Sequence, residues 1–272
     1  MPYRHAHYFV GLVLLVIMAG FWASYFAASR PAPLAFHVHA ISSMTWLLLL
    51  IAQHLTIQRR ANALHRQMGQ ASFVLFPFLI LGFVMIINVT AANFAGGQDP
   101  FVNLIGSSFA IGMSVAIAAY LTLFFLALKH RRNVKLHAGY MLATPLILFE
   151  SPFSRVIEQF LPWMNIIGSE GPRAVLDVIV ISDVLAMLFA LTLYMLNRKH
   201  GAPWLVAAGF IGLQAVLMWI APAIPAFGAA FAAYTAVPVP VTLAGGVLAG
   251  AAAAWFGWEA GKPQRKRTAL PA

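Results

Sequence analysis

The sequence predicts an all-α fold, a polytopic transmembrane bundle of about eight helices with the N-terminus and the C-terminus both cytoplasmic. Two observations carry that expectation. The 272-residue chain is 61% hydrophobic and only 9% charged, against roughly 25% charged residues in a soluble domain. The charges are also sorted, because fourteen of the seventeen Lys and Arg residues fall in alternate gaps between long apolar runs. Arg4 opens the chain, Arg59, Arg60 and Arg66 follow the second run, and Lys129, Arg131, Arg132 and Lys135 follow the fourth. Arg198 and Lys199 follow the sixth, and Lys262, Arg265, Lys266 and Arg267 close the chain. The other gaps hold Arg30, Arg155 and Arg173 beside Asp99, Glu158 and Glu170. An even number of crossings with the basic loops in the cytoplasm gives this distribution.

A spanning helix needs about 20 predominantly apolar residues. The runs that meet or approach that length cover 8–28, 35–57, 71–92, 102–128, 136–151, 174–196, 203–221 and 240–258. The first is longer than the apolar core of a signal peptide and lacks a clear A-x-A site, so it reads as a retained helix. The fifth is the weakest: it is short, contains Pro145 and meets Pro152 at its outer end. Proline removes a backbone donor and crowds the preceding turn, so this run is expected to span with a kink. Residues 153–167 mix aromatics with Arg155, Glu158 and Gln159 and are expected to lie in the outer interface. Between the last two runs, Pro222, Pro225, Pro238 and Pro240 punctuate an Ala-rich outer segment, read as a structured loop with a re-entrant helix as the alternative. Gly246 and Gly250 form a small-xxx-small pair that lets the last helix pack closely on a neighbour.

Three parts follow: a six-helix core over 1–200 that holds nearly all the polar residues, an appended helix pair over 201–260, and a basic cytoplasmic tail over 261–272. A formal charge of +10 does not imply nucleic acid, because the basic residues are confined to short loops and the tail. The expected partners are the lipid bilayer and, at the tail, anionic lipid, at about 1 kcal/mol per Lys or Arg. The chain has no cysteine, which excludes disulfides, iron–sulfur clusters and covalent c-type haem.

Inside such a bundle each polar group needs a reason. His39, Trp46 and Gln53 are spaced by seven, which places them on one helical stripe about 21 Å long. A hydrogen bond across helices is the plain explanation of His39 and Gln53, and a site is the other. His37 points nearly opposite His39, since two helical residues turn through about 200°. The two share a metal only if the helix starts at Ala40. Asp183 lies some nine residues into the sixth helix, where a carboxylate is costly and by default faces the interior with a partner or a proton. Asp177, four residues after Arg173, reads as an interfacial ion pair. Glu150 closes the fifth helix, so His39, Glu150 and Asp183 are candidates for one outer site.

Two cofactor readings remain open, b-type haem or a divalent metal. His39 and His54 sit fifteen residues apart on one helix, as in bundles that stack two haems, but no second helix repeats the pair. One inner haem between His54 or His65 and His137 is the reduced version. An outer metal would use His37 or His39 with Glu150 and Asp183, ligand types suited to zinc, iron or manganese.

The segment Phe36-His37-Val38-His39, with Trp46, Gln53, the run Leu64-His65-Arg66-Gln67-Met68-Gly69 and the stretch from Arg131 to Met141, resembles a loosely defined group of bacterial integral-membrane proteins of unknown function. These carry a His-rich second helix and an L-H-R-x-x-G turn, and some are grouped by fold with cytochrome b561-like bundles. The resemblance covers the second to fifth helices and implies that His39, His65 and His137 matter. The first functional expectation is therefore a multi-pass protein of the bacterial inner membrane that binds haem or a metal in a redox or electron-transfer role. The alternatives are a proton-coupled transporter of a small molecule or lipid, a metal hydrolase, and an assembly or structural protein.

Overall fold

The computed structural model describes residues 3–97 and 99–263. Ten α-helices run in chain order: α1 Ala6–Gly20, α2 Leu34–Gln58, α3 Asn62–Gly96, α4 Pro100–Lys129, α5 Val134–Ile147, α6 Glu150–Phe160, α7 Ala174–Leu196, α8 Ala202–Ile220, α9 Pro225–Tyr234 and α10 Val239–Ala260. Among the described residues there is no strand. Six helices, α2, α3, α4, α7, α8 and α10, are long and apolar enough to cross a membrane. The first and fifth apolar runs are the two that depart from a single straight helix. α1 is continued by a π-helical turn, Trp22–Phe26, and the fifth run divides into α5 and α6.

Two helices, α4 and α5, start at side-chain caps. Asp99 caps α4, its Oδ1 accepting from the Phe101 and Val102 amides at 2.9 and 3.3 Å, with Pro100 as first residue, where its missing N–H costs nothing. Asn133 caps α5 through the Leu136 amide at 3.2 Å. α3 begins nine residues before the predicted apolar run, so the L-H-R-x-x-G segment is helix and not a turn. Ala63, Leu64, Arg66, Gln67 and Met68 are strong helix formers, and helix propensity prevails over their polarity.

Eight helices form a ring. α1 packs between α2 and α6, α6 against α7, α7 against α8, α8 against α4, and α10 between α4 and α3, which returns to α2. α5 lies inside, on α4 and α8 with lighter contacts to α1 and α2, and no residue from Leu136 to Glu150 is exposed. Residues 201–260 are thus woven into the ring at two places, α8 beside α7 and α10 beside α3. Gly246 faces Val84, and a Cβ on Gly250 would stand 2.7 Å from the Pro77 backbone, the close approach expected of that pair. α9 is held by Tyr234, whose hydroxyl donates to Asn88 Oδ1 at 2.6 Å, while Asn88 Nδ2 donates to Thr242 at 2.9 Å.

The basic turns gather at one end. The Arg4 carbonyl accepts from Gln58 Nε2 at 2.5 Å, with His54 Nε2 3.2 Å from the same oxygen, joining the chain start to the α2–α3 turn. Arg131 donates to the Trp258 carbonyl at 2.7 Å and stacks 3.9 Å over its ring, joining the α4–α5 turn to the end of α10. The acidic and proline-rich connections lie at the far end. The tail residues Arg265, Lys266 and Arg267 lie outside the described residues.

The kink in the fifth run has a specific repair. Pro145 cannot donate to the Met141 carbonyl. Thr144 Oγ1 takes that role, donating to Met141 at 2.8 Å. Trp46 Nε1 from α2 then donates to Thr144 Oγ1 at 2.9 Å, and the Tyr120 hydroxyl from α4 donates to the Thr144 carbonyl at 2.9 Å. All three side chains are fully buried. Trp46, placed on the polar stripe by its spacing, therefore has a structural partner.

Candidate functional site

Beyond the kink, α6 is strongly amphipathic. Glu150, Ser154 and Ile157 recur at four and three residues and are buried, while Pro152 occupies the first turn, where it is tolerated. The 153–167 segment expected to lie in the interface is therefore partly core: α6 is inserted between α1 and α7. On α7 the buried positions Leu176, Ile179, Asp183, Ala186 and Ala190 form one inward face, so the Asp183 carboxylate points inside.

Glu150 and Asp183 are both buried there, within electrostatic range of each other. Gln214 of α8 donates from Nε2 to Glu150 Oε2 at 3.2 Å, and Ser154 Oγ reaches Oε1 at 3.5 Å. Asp183 Oδ2 is buried without a hydrogen-bond partner. Arg155 is in electrostatic range of Glu150 and Glu158 but forms no ion pair; the one pair among the described residues is Glu259–Lys262 at 2.6 Å. Asp177 is not paired with Arg173 either. Its carboxylate accepts from the Ser169 amide at 2.7 Å and the Ser169 hydroxyl at 2.8 Å, while Arg173 stacks 4.4 Å over Trp219.

At the far end, a cavity of about 320 Å³ opens between the π turn, the first half of α2 and the α5–α6 break. His39, Ser43, Ser151, Arg155 and Arg30 bring polar groups to its wall. His39 Nδ1 and Ser43 Oγ are both buried without partners. The His39 ring meets Phe83 edge-on at 4.7 Å, and Gly82 lets its backbone approach α3, since a Cβ there would stand 2.9 Å from His39 Cα.

α2 is unbroken helix from Leu34, so His37 and His39 are not extended and point apart. His37 Nδ1 instead pairs with the Tyr25 hydroxyl at 2.7 Å. The proposed metal set is dispersed accordingly: Glu150 and Asp183 lie within electrostatic range of each other, His39 lines the far-end cavity, and His37 is turned away. Among the described residues no three His, Asp or Glu side chains could hold one metal ion.

Four of the basic-end histidines fall in two pairs. His54 stacks on His7 with centroids 5.2 Å apart and is bonded to Gln58 Nε2 at 2.6 Å. His65 and His137 interact with each other. His137 Nδ1 bonds the Ala127 carbonyl at 2.9 Å, and the His65 ring faces the Gln53 backbone. His65 Nδ1 and Gln53 Oε1 are buried without partners. Of the four candidate haem ligands, His65 and His137 are within electrostatic range of each other, while His54 lies beside His7 and His39 against Phe83.

Gln214, Thr144 and Tyr120 are the contributors that sequence reading passed over. Gln214 had a signal, being the lone amide in the otherwise apolar α8. Thr144 and Tyr120 had none, because Thr and Tyr are ordinary in membrane helices. The chain matches no protein-family model, no curated protein and no solved structure.

Proposed function

We propose that the chain is a multi-pass protein of the bacterial inner membrane that couples proton movement to the passage of a small solute or lipid. One observation carries the reading: a carboxylate from α6 and one from α7 are both buried within electrostatic range of each other, with an amide from α8 on the first. Ionisable groups inside a bilayer are costly and mark proton and substrate routes by default. Two neighbouring carboxylates repel when both are ionised, and a proton on either one removes that repulsion. Asp183 Oδ2, free of any partner, is the oxygen that takes and gives it.

Eight crossings with both ends cytoplasmic are part of the proposal. Its support is the six long apolar helices, α1 with its π turn, and α5 with α6, the last two each long enough in sum. The gathered basic turns support the orientation. Since the chain has no cysteine, single cysteines at Asn133 and Ser169 can be labelled without background. A membrane-impermeant maleimide is expected to reach only the second in intact cells.

The proton reading is tested without knowing the solute. A protonated carboxyl gives an infrared C=O band that Asp183→Asn is expected to remove at neutral pH. In pyranine-loaded proteoliposomes the same variant is expected to reduce proton flux to that of protein-free vesicles. Unchanged band and flux would overturn the reading.

A second reading rests on His65 and His137. With Nδ1 committed to Ala127, His137 would ligate through Nε2, the arrangement that orients a metal-bound imidazole. A b-type haem held by these two residues would supply one-electron chemistry. Oxidised and dithionite-reduced spectra are then expected to show a Soret band that His137→Ala abolishes. Protein purified from haem-supplied cells with no such band removes this reading.

A further inference from the structure

The far-end cavity has a composition that the acid pair does not explain. Most of its wall is apolar, from Phe21, Phe36, Met44 and Leu148, yet two arginines reach it, Arg155 and Arg30. Arg155 is the telling one. Its guanidinium lies 4.6 Å from the Phe21 ring centroid and uses Nη1 on the Ser151 carbonyl at 2.7 Å and hydroxyl at 3.0 Å. No carboxylate lies within ion-pair distance of it among the described residues, although Glu150 and Glu158 are in electrostatic range. A cation placed in an apolar wall is expensive unless an anion meets it. Arginine is also the side chain whose planar fork suits carboxylate and phosphate.

The geometry points to this cavity as the binding site of an amphiphile with an anionic head, a carboxylate or phosphate on an aliphatic chain. Arg155 and Arg30 take the head and the Phe21–Phe36–Met44 side takes the chain. His39 and Ser43 line the same cavity, and each has a buried polar atom without a partner. About 320 Å³ is at the small end of ligand pockets, enough for a head and part of a chain while the remainder lies along the exposed Phe26 and Leu34 surface. The inference names a substrate class for the proposed carrier, but as a statement about binding it stands without the proton chemistry.

The test is a fluorescence titration of purified protein in non-ionic detergent with dansyl-undecanoate. Saturable binding is expected, displaced by dodecyl phosphate and by palmitate, and at least tenfold less well by dodecanol. Acetate and inorganic phosphate are expected not to displace it, which separates a membrane amphiphile from a free anion; displacement by them as effective as by palmitate would overturn the amphiphile. Phosphatidylglycerol displacing where phosphatidylcholine does not would identify a lipid headgroup as one source. Arg155→Gln is expected to weaken the probe at least tenfold and Arg155→Lys less. Arg30→Gln, at an exposed position outside the helices, gives a variant whose folding is not at risk and is expected to weaken it severalfold. The titration reads binding alone, so failure of the proton reading leaves this result intact. No saturable binding, equal competition by dodecanol, or unchanged affinity in both arginine variants would overturn the site.

Discussion

Gly20→Ala is expected to be among the most damaging single substitutions in the chain. A Cβ on Gly20 would overlap the carbonyl oxygen and carbon of Pro152, and the obstructing atoms are backbone. Overpacking that side chains can relieve costs about 1–3 kcal/mol. Here the whole of α1 must move off α6, so the loss is expected at or above the top of that range. Gly20 also ends regular α-helix: the π turn follows, and Gln159 of α6 donates to the Gly20 carbonyl at 3.1 Å. One methyl group therefore acts on the helix contact, the π turn and the cavity wall together. Gly11 of the same helix is the control, with nothing within 4 Å of an added Cβ. Gly11→Ala is expected to stabilise α1 by about 0.5–1 kcal/mol. Thermal unfolding in detergent checks both; equal midpoints for the two variants would show that α1 does not pack on Pro152 as described.

Thr144→Val is expected to cost about 2 kcal/mol with no change in side-chain shape. It removes the acceptor of Trp46 Nε1 and the donor to the Met141 carbonyl, leaving two buried polar groups unpaired at about 1–3 kcal/mol each. Interhelical hydrogen bonds in membranes average only about 0.6 kcal/mol because neighbouring groups re-pair. At Thr144 re-pairing has little room: Trp46, Tyr120 and Thr144 are all completely enclosed, and Pro145 offers no N–H. The larger figure should therefore hold. Thr144→Ser keeps the hydroxyl and gives up one methyl, about 0.8 kcal/mol, so it should recover more than half of the loss. A valine variant as stable as the parent, or a serine variant no better than valine, would show that the hydroxyl has no part in holding the kink.

The legible and illegible parts of the site differ in kind. Asp183 and Glu150 stood out because a carboxylate in an apolar run needs an explanation wherever it points. Their proximity did not, because nothing local says that α6 lies against α7. The start of α2 at Leu34 instead of Ala40 fixes His37 and His39 on opposite faces, and among the described residues no three His, Asp or Glu side chains are grouped to hold a metal. His65 and His137 were singled out as residues, but their pairing needed α3 to begin at Asn62, early enough to carry His65 into regular helix.

The sequence by itself determined the solvent of this chain, the helical class, the long apolar helices and the sorting of basic residues to one set of turns. Lipid imposes those requirements on each segment separately, since every backbone polar group must be satisfied within its own helix. Only the tertiary structure decided that the fifth run, the least hydrophobic in appearance, is the innermost, and that residues 201–260 are built into the ring. It also decided that an unpaired Arg155 faces an apolar cavity. Apolar helices are nearly interchangeable to lipid, so which faces meet is chosen by small residues at close approaches and by a few hydrogen bonds. Gly20 against Pro152 and Thr144 between Trp46 and Tyr120 are such choices, and they become visible only once the helices are packed.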